Sequence, residues 1–322
     1  MPIHAFRSDA DGPSFLGEQL EYIFPQTVNI VYAPDDWAKH LPLETGDDPA
    51  VEAVGFDIYS ATGMAELFEG NGWNLPEVGV ARERILAPVL QWGINHAMDD
   101  LATERAALEA ARRRQAGVTG PVITLNVAKE LAAAESIRQR HNALALFGSA
   151  NQKIYGLVNQ PNIANYPAPA GEGGTSDWES KSGPEIVADL TALVSLVMNT
   201  AKADQWFPNR IVLSMNKYLI ASSKMMPGTL ETALSFFQRT NPMGTTLRVE
   251  PWIRLNGQGS GSTGIAFCYR FDDQVISYVA PLPYKVNTPP ARAPAGWTWT
   301  HSMRSAGVSV KRPFAVAKMQ GF

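Results

Sequence analysis

The chain has 322 residues, 45% of them hydrophobic and 18% charged, with a net charge of −4 and a single cysteine. That length and apolar share supply the core of one large domain or two to three modest ones, while the acidic surplus argues against a base-reading nucleic-acid protein and the lone Cys268 excludes an internal disulfide. No apolar run approaches the ~20 residues of a membrane span, and the opening MPIHAFRSDADG lacks the apolar stretch of a signal peptide, so the protein is expected to be made and kept in a cytoplasm.

Residues 1–45 carry Gly12-Pro13, Pro25, Pro34-Asp35-Asp36 and Pro42 and read as an extended arm, with a short strand over 27–32. So long an irregular opening suits a compact domain badly and is of the kind that grips a neighbouring chain. Residues 51–60 and 78–94 read as the two arms of a long hairpin, with Val54, Phe56 and Ile58 alternating against Gly55, Asp57 and Tyr59. Its tip is FEGNGWNLPE, residues 68–77, rich in turn formers and carrying Trp73.

Residues 97–114 (AMDDLATERAALEAARRR) read as a helix, with Asp99 and Asp100 early and Arg112-Arg113-Arg114 late, as the helix dipole favours. A second helix spans 126–147 and stops at Gly148. A third starts near Pro184 and sets Ile186, Leu190, Leu193 and Val197 on one face, and a fourth over 229–239 carries Leu230, Leu234 and Phe237. Strands are expected over 210–215, 245–255, 264–271 and 274–280, with Asp272-Asp273 as a tight hairpin turn between the last two. The proline-rich PLPYKVNTPPARAPAG, residues 281–296, reads as a loop, and 307–319 as one closing strand. Helices and strands are segregated rather than alternating, so the fold class is α+β.

The chemistry-bearing residues form no constellation. His4, His40, His96, His141 and His301 lack metal-type neighbours in sequence, and His141 beside Arg140 reads as a solvated or capping side chain. Gly259, Gly261 and Gly264 match G-x-G-x-x-G, but a strand follows where a dinucleotide site needs a helix, so GSGSTG reads as a Gly/Ser loop. The acid pairs Asp35-Asp36, Asp47-Asp48, Asp99-Asp100 and Asp272-Asp273 read as turns and a helix start, and Cys268 as a buried inert thiol. No catalytic, cofactor-binding or metal residue is nominated, no cofactor is implied, and an enzyme would need dispersed catalytic groups.

FGSANQKIYGLVNQPNIANY, residues 147–166, reads as a junction. Gly148 ends the second helix and Gly156 turns with a bare backbone. Leu157 and Val158 anchor the segment to a core, and Asn159 with Pro161 closes the turn.

The order of these parts resembles the major capsid protein of tailed bacteriophages, of the Hong Kong 97 type. HNALALFGSANQKIYGLVNQPNI is similar to the family segment in which a helix end meets Gly148 and the chain continues Gly156-Leu157-Val158-Asn159-Gln160-Pro161. WFPNRIVLSMNKYLIASSKMM, residues 206–226, is similar to its axial-domain stretch, and SAGVSVKRPFAVAKMQGF, residues 305–322, to its closing strand. The resemblance implies an N-terminal arm (1–45), an extended loop hairpin (46–95), a peripheral domain with a spine helix (96–150), an axial domain (151–300) and a C-terminal strand returning to the peripheral domain (301–322). It implies self-assembly as hexamers and pentamers into an icosahedral virion shell, put together in the host cell cytoplasm. Implied partners are a portal at one vertex, separate scaffolding and decoration proteins, and packaged double-stranded DNA held by non-specific contact. No membrane is involved.

In a shell, Trp73 at the hairpin tip is expected to anchor on the next subunit, and Gly148, Gly156, Leu157, Asn159 and Pro161 to join the peripheral and axial domains. Some members lock subunits through a lysine on the extended loop. No lysine occurs here between Lys39 and Lys129, so that crosslink is not expected. Residues 1–45 are not the charged helical scaffold that some members carry in front, which leaves a separate scaffold or a segment outside this chain. An encapsulin-like bacterial compartment shell is the alternative on the same fold, and an enzyme with dispersed catalytic residues is the alternative on another.

Overall fold

The computed structural model describes residues 36–46, 50–60, 81–88, 90–99, 108, 125–199, 205–241, 243–259, 261, 263–293 and 296–322. The expected strand over 27–32, the hairpin tip with Trp73, the pair Asp47-Asp48 and the three arginines 112–114 lie outside them.

A mixed five-stranded sheet forms the centre, in the order β5 (Ala164–Pro167), β13 (Val316–Gln320), β8 (Ile265–Tyr269), β6 (Arg210–Ser214), β7 (Arg248–Trp252). Its inner strands are apolar on both faces because both faces are covered. Ile265, Phe267 and Tyr269 of β8, with Val212 and Val316, join one core, while Ala266, Cys268, Ile211, Leu213, Ala317 and Met319 join the other. On the second face lies helix α3 (Gly183–Met198), and its expected stripe of Ile186, Leu190, Leu193 and Val197 is buried there. Helices α4 (Met215–Ser223) and α5 (Ala233–Thr240) complete that layer, with Ala221, Leu234 and Phe237 in the same core.

The first core is shared with helix α2 (Leu125–Phe147), with the short helix α1 (Trp37–His40), and with a small sheet ordered β1 (Leu43–Glu44), β9 (Ile276–Val279), β12 (Gly307–Val310). Ala133, Ile137, His141 and Leu144 put a buried stripe along α2 at helical spacing. Strand β2 (Ala53–Ser60) pairs antiparallel with β3 (Ala81–Pro88), from Ala53↔Pro88 to Ser60↔Ala81, as a two-stranded sheet. A third outlying sheet is ordered β10 (Leu282–Ala293), β11 (Gly296–Ser305), β4 (Leu90–Asp99).

Several expectations are corrected, each by tertiary pairing that outweighs local preference. The return arm of the hairpin is two strands, β3 to Pro88 and β4 from Leu90, and β4 pairs with β11 as far as Asp99↔Gly296. Residues 97–99 are therefore strand, not helix, and Asp99 is not a helix start. The proline-rich 281–296 is strand over most of its length. Its prolines are tolerated because β10 is an edge, and the ladder shifts register between Leu282 and Lys285 and between Asn287 and Ala291.

Asp272-Asp273 does not make a hairpin. Val275 N and Ile276 N both donate to Asp272 O at 3.0 Å, and this helical turn carries β9 away from β8 into another sheet. The closing strand is two strands, because a 3-10 turn beginning at Pro313 separates β12 from β13. β13 then enters the central sheet between β5 and β8. Met215 opens α4 instead of ending β6, and 3-10 turns flank β7 within 245–255. The fourth helix starts four residues later than expected, capped by the Thr232 hydroxyl, which leaves Leu230 outside it and 94% exposed.

Candidate assembly junction

The segment after α2 folds back and caps the helix that precedes it. A helix end leaves four carbonyls without helical partners beyond them. Here Leu144 O accepts from Gly148 N at 3.0 Å, Ala145 O from Leu157 N at 2.9 Å and Leu146 O from Val158 N at 2.9 Å. Phe147 O accepts from Asn159 Nδ2 at 2.8 Å, and Asn159 Oδ1 in turn accepts from Gly156 N at 2.6 Å. Asn159 thus bridges the helix end and the turn through both ends of its amide.

The fold-back brings backbone against backbone. A Cβ on Gly156 would stand 2.4 Å from Gly148 N and 2.5 Å from Leu146 O, and one on Gly148, whose φ is +61°, would stand 2.2 Å from Ile154 O. Leu157 is fully buried in the first core with Val158 packed beside it, whereas Pro161 is exposed and lines the turn without a burial role. Of the residues nominated from sequence, Gly148, Gly156, Leu157 and Asn159 converge here, Pro161 sits at the margin, and Trp73 lies outside the described residues.

Two participants carried no nomination. Gly307, φ +79°, lets β12 approach so closely that a Cβ would stand 2.5 Å from Tyr155 O, and Val308 N donates to that oxygen at 2.8 Å. Gln160 is buried and donates from Nε2 to Val308 O at 2.7 Å. The small-residue turn Ser305-Ala306-Gly307 could have signalled the first, but nothing in the sequence signals the second.

Residues 37–44 are lashed to the same region. β1 adds to β9 in parallel, Tyr278 N donates to Pro42 O at 2.8 Å, and the Glu44 carboxylate accepts from Ser277 Oγ at 2.6 Å and Lys311 Nζ at 2.7 Å. Trp37 stacks on His141 and packs on Tyr278, and the Tyr278 hydroxyl lies 3.0 Å from His141 Nδ1. His141 is therefore a buried core residue, correcting the expectation of a solvated or capping side chain. Burial lowers its pKa to about 4. His40, packed on Trp252, is lowered to about 4 as well, by burial first and then by the Arg210 charge, against a smaller upward pull from Asp36.

Reactive chemistry is not assembled in this region. Cys268 is fully buried and its thiol pKa is pushed well up by desolvation, so it is poorly suited to act as a nucleophile. Lys181 and Asp189, both buried, pair at 2.6 Å, and Trp178 Nε1 donates to the same carboxylate oxygen at 2.8 Å, which is a structural network inside the second core. Among the described residues no group of three or more His, Cys, Asp or Glu could hold a metal ion, and no helix is long and apolar enough to cross a membrane. What the geometry does provide is a rigid hub joining a long helix, two sheets and the root of a hairpin.

A family model described as major capsid protein matches residues 63–321. Among solved structures, "The capsid of Myoviridae Phage XM1" superposes with a TM-score of 0.75 at 15% identity, covering 95% of this chain and 98% of that one. A structure titled for Mycobacterium phage Bobi gives 0.59 at 7% identity with 96% and 98% covered. One titled "Capsid of native GTA particle" gives 0.57 at 10% identity with 98% and 99% covered. A search of curated proteins finds no match.

Proposed function

The chain belongs to the major capsid protein family of tailed phages, and from that premise we propose that it closes as hexamers and pentamers into the icosahedral head shell around a double-stranded DNA genome. A portal at one vertex and separate scaffolding belong to this reading, with assembly in the host cytoplasm and no catalytic role for the chain. In it α2 serves as the spine helix of the peripheral domain, and the five-stranded sheet with α3, α4 and α5 as the axial domain. The hairpin β2–β3 is the extended loop, and residues 1–45 are the arm.

The observation that carries the reading is the two-stranded sheet β2–β3. Eight residues of one strand pair with eight of the other, and among the described residues no third strand joins them. A two-stranded ribbon is marginal in water unless something covers it. Among the described residues its root is held by the subunit, where Val51 and Val54 pack on Val279 and Ala306. A neighbouring subunit supplies the missing cover, and many such modest contacts, each on the order of 1,000 Å², sum to a stable shell.

Size-exclusion chromatography of the purified protein tests this, the expected result being megadalton particles that carry nucleic acid when made in infected cells. A small stable oligomer with measurable turnover contradicts it, and particles holding an enzyme cargo in place of nucleic acid assign the chain to the compartment shells.

A further inference from the structure

At the edge of the central sheet two arginines stand side by side. β6 and β7 run parallel, and Arg210 and Arg248 are direct register partners at their first residues. Like charges placed opposite each other across neighbouring strands repel. Arg210 is compensated within the subunit: Nη1 lies 3.5 Å from Glu250 Oε2, the guanidinium covers the Phe271 ring at 4.0 Å, and it donates to Lys39 O. Arg248 is exposed, and among the described residues its guanidinium has no acidic or hydrogen-bonding partner.

The two arginines line an open recess of about 430 Å³ together with Asn209, Thr245, Thr246 and Phe271. Asn209 Oδ1 is taken by Phe271 N at 2.6 Å, which leaves its amide NH₂ as a donor. The recess therefore offers donors and positive charge but no carboxylate of its own.

We infer that this recess takes a carboxylate from a second copy of the chain, with Arg248 as the charge that receives it. The inference rests on the shell reading above. An oxyanion is what two juxtaposed arginines and an amide donor accept. A nucleic-acid strand fits less well, because strand binding draws on a wider basic track than the two arginines that line this recess. A second copy fits better: with 31 acidic against 27 basic side chains, its surface carries carboxylates in excess.

The test uses assembled shells in three forms. In wild-type shells formed without nucleic acid, Arg248 should be protected from phenylglyoxal that modifies it in the free subunit. In Arg248→Lys shells, carbodiimide coupling should yield an intersubunit peptide linking position 248 to an Asp or Glu, identified by mass spectrometry. Arg248→Glu should lose closed shells while keeping the circular dichroism of the wild-type subunit. Shells of Arg248→Lys without that linkage, or Arg248→Glu shells at wild-type yield, overturn the inference. Protection that appears only once nucleic acid is packaged also overturns it and gives the recess to phosphates. A wild-type chain that forms no shells fails one step earlier, at the reading itself.

Discussion

Gly156 is the position where the account is most exposed to a single substitution. The backbone of α2 occupies the space a side chain there would need, with Leu146 O only 2.5 Å from an ideal Cβ. Gly156→Val is expected to abolish soluble folded subunit, read by circular dichroism and thermal melting. Asn159→Ala removes one side-chain bridge and should cost about 1–3 kcal/mol, leaving a foldable subunit. A Gly156→Val protein that melts at the wild-type temperature contradicts the fold-back geometry. The glycines and Asn159 were legible in the sequence because turn chemistry is local. The role of His141 was not, because its hydroxyl partner, Tyr278, lies 137 positions away and only packing brings them together.

Those buried histidines set a pH dependence. His40 and His141 are held near pKa 4 against an ordinary value of 6.5, so between these pH values the unfolded chain binds more protons than the native one. Stability of the subunit is then complete above pH 6.5 and falls as the pH drops towards 4. Denaturant midpoints across that range should decline with acid, and His141→Gln should flatten the decline. An identical slope in the variant removes His141 from the explanation.

Among the elements, α2, α3, β6 and β8 were legible for a physical reason. The helices carry an apolar stripe at helical spacing, and the strands are apolar throughout because two cores cover them. The misread elements are those whose partners decide them. β10 is strand despite its prolines because β11 supplies the ladder, and residues 97–99 are strand despite an alanine-rich sequence for the same reason. The hairpin belongs at this scale too. Its arms were legible from alternation, and its root rests on the subunit through Val51 and Val54. We propose that Trp73 at its tip anchors on the neighbouring subunit. Trp73→Ala should leave the circular dichroism of the subunit unchanged and reduce particle yield by tenfold or so, as loss of about 1.4 kcal/mol at a contact would. Wild-type particle yield from this variant contradicts it.

For the whole molecule, the sequence carried the succession of parts but not their pairing. Among the described residues hairpin strands, long helix and mixed sheet follow one another as read, and the resemblance to capsid proteins rested on the succession of parts. Which strands share a sheet was beyond reach, since β13 closes the central sheet beside β8 and β5 from the far end of the chain. The result is a subunit with two internal cores and a two-stranded sheet that no third strand joins among the described residues. Electron microscopy of the full chain, expressed alone and with its neighbouring genes, tests this most directly. Closed icosahedral particles in at least one of the two preparations are predicted. A uniform small oligomer in both would contradict the assignment as a shell subunit.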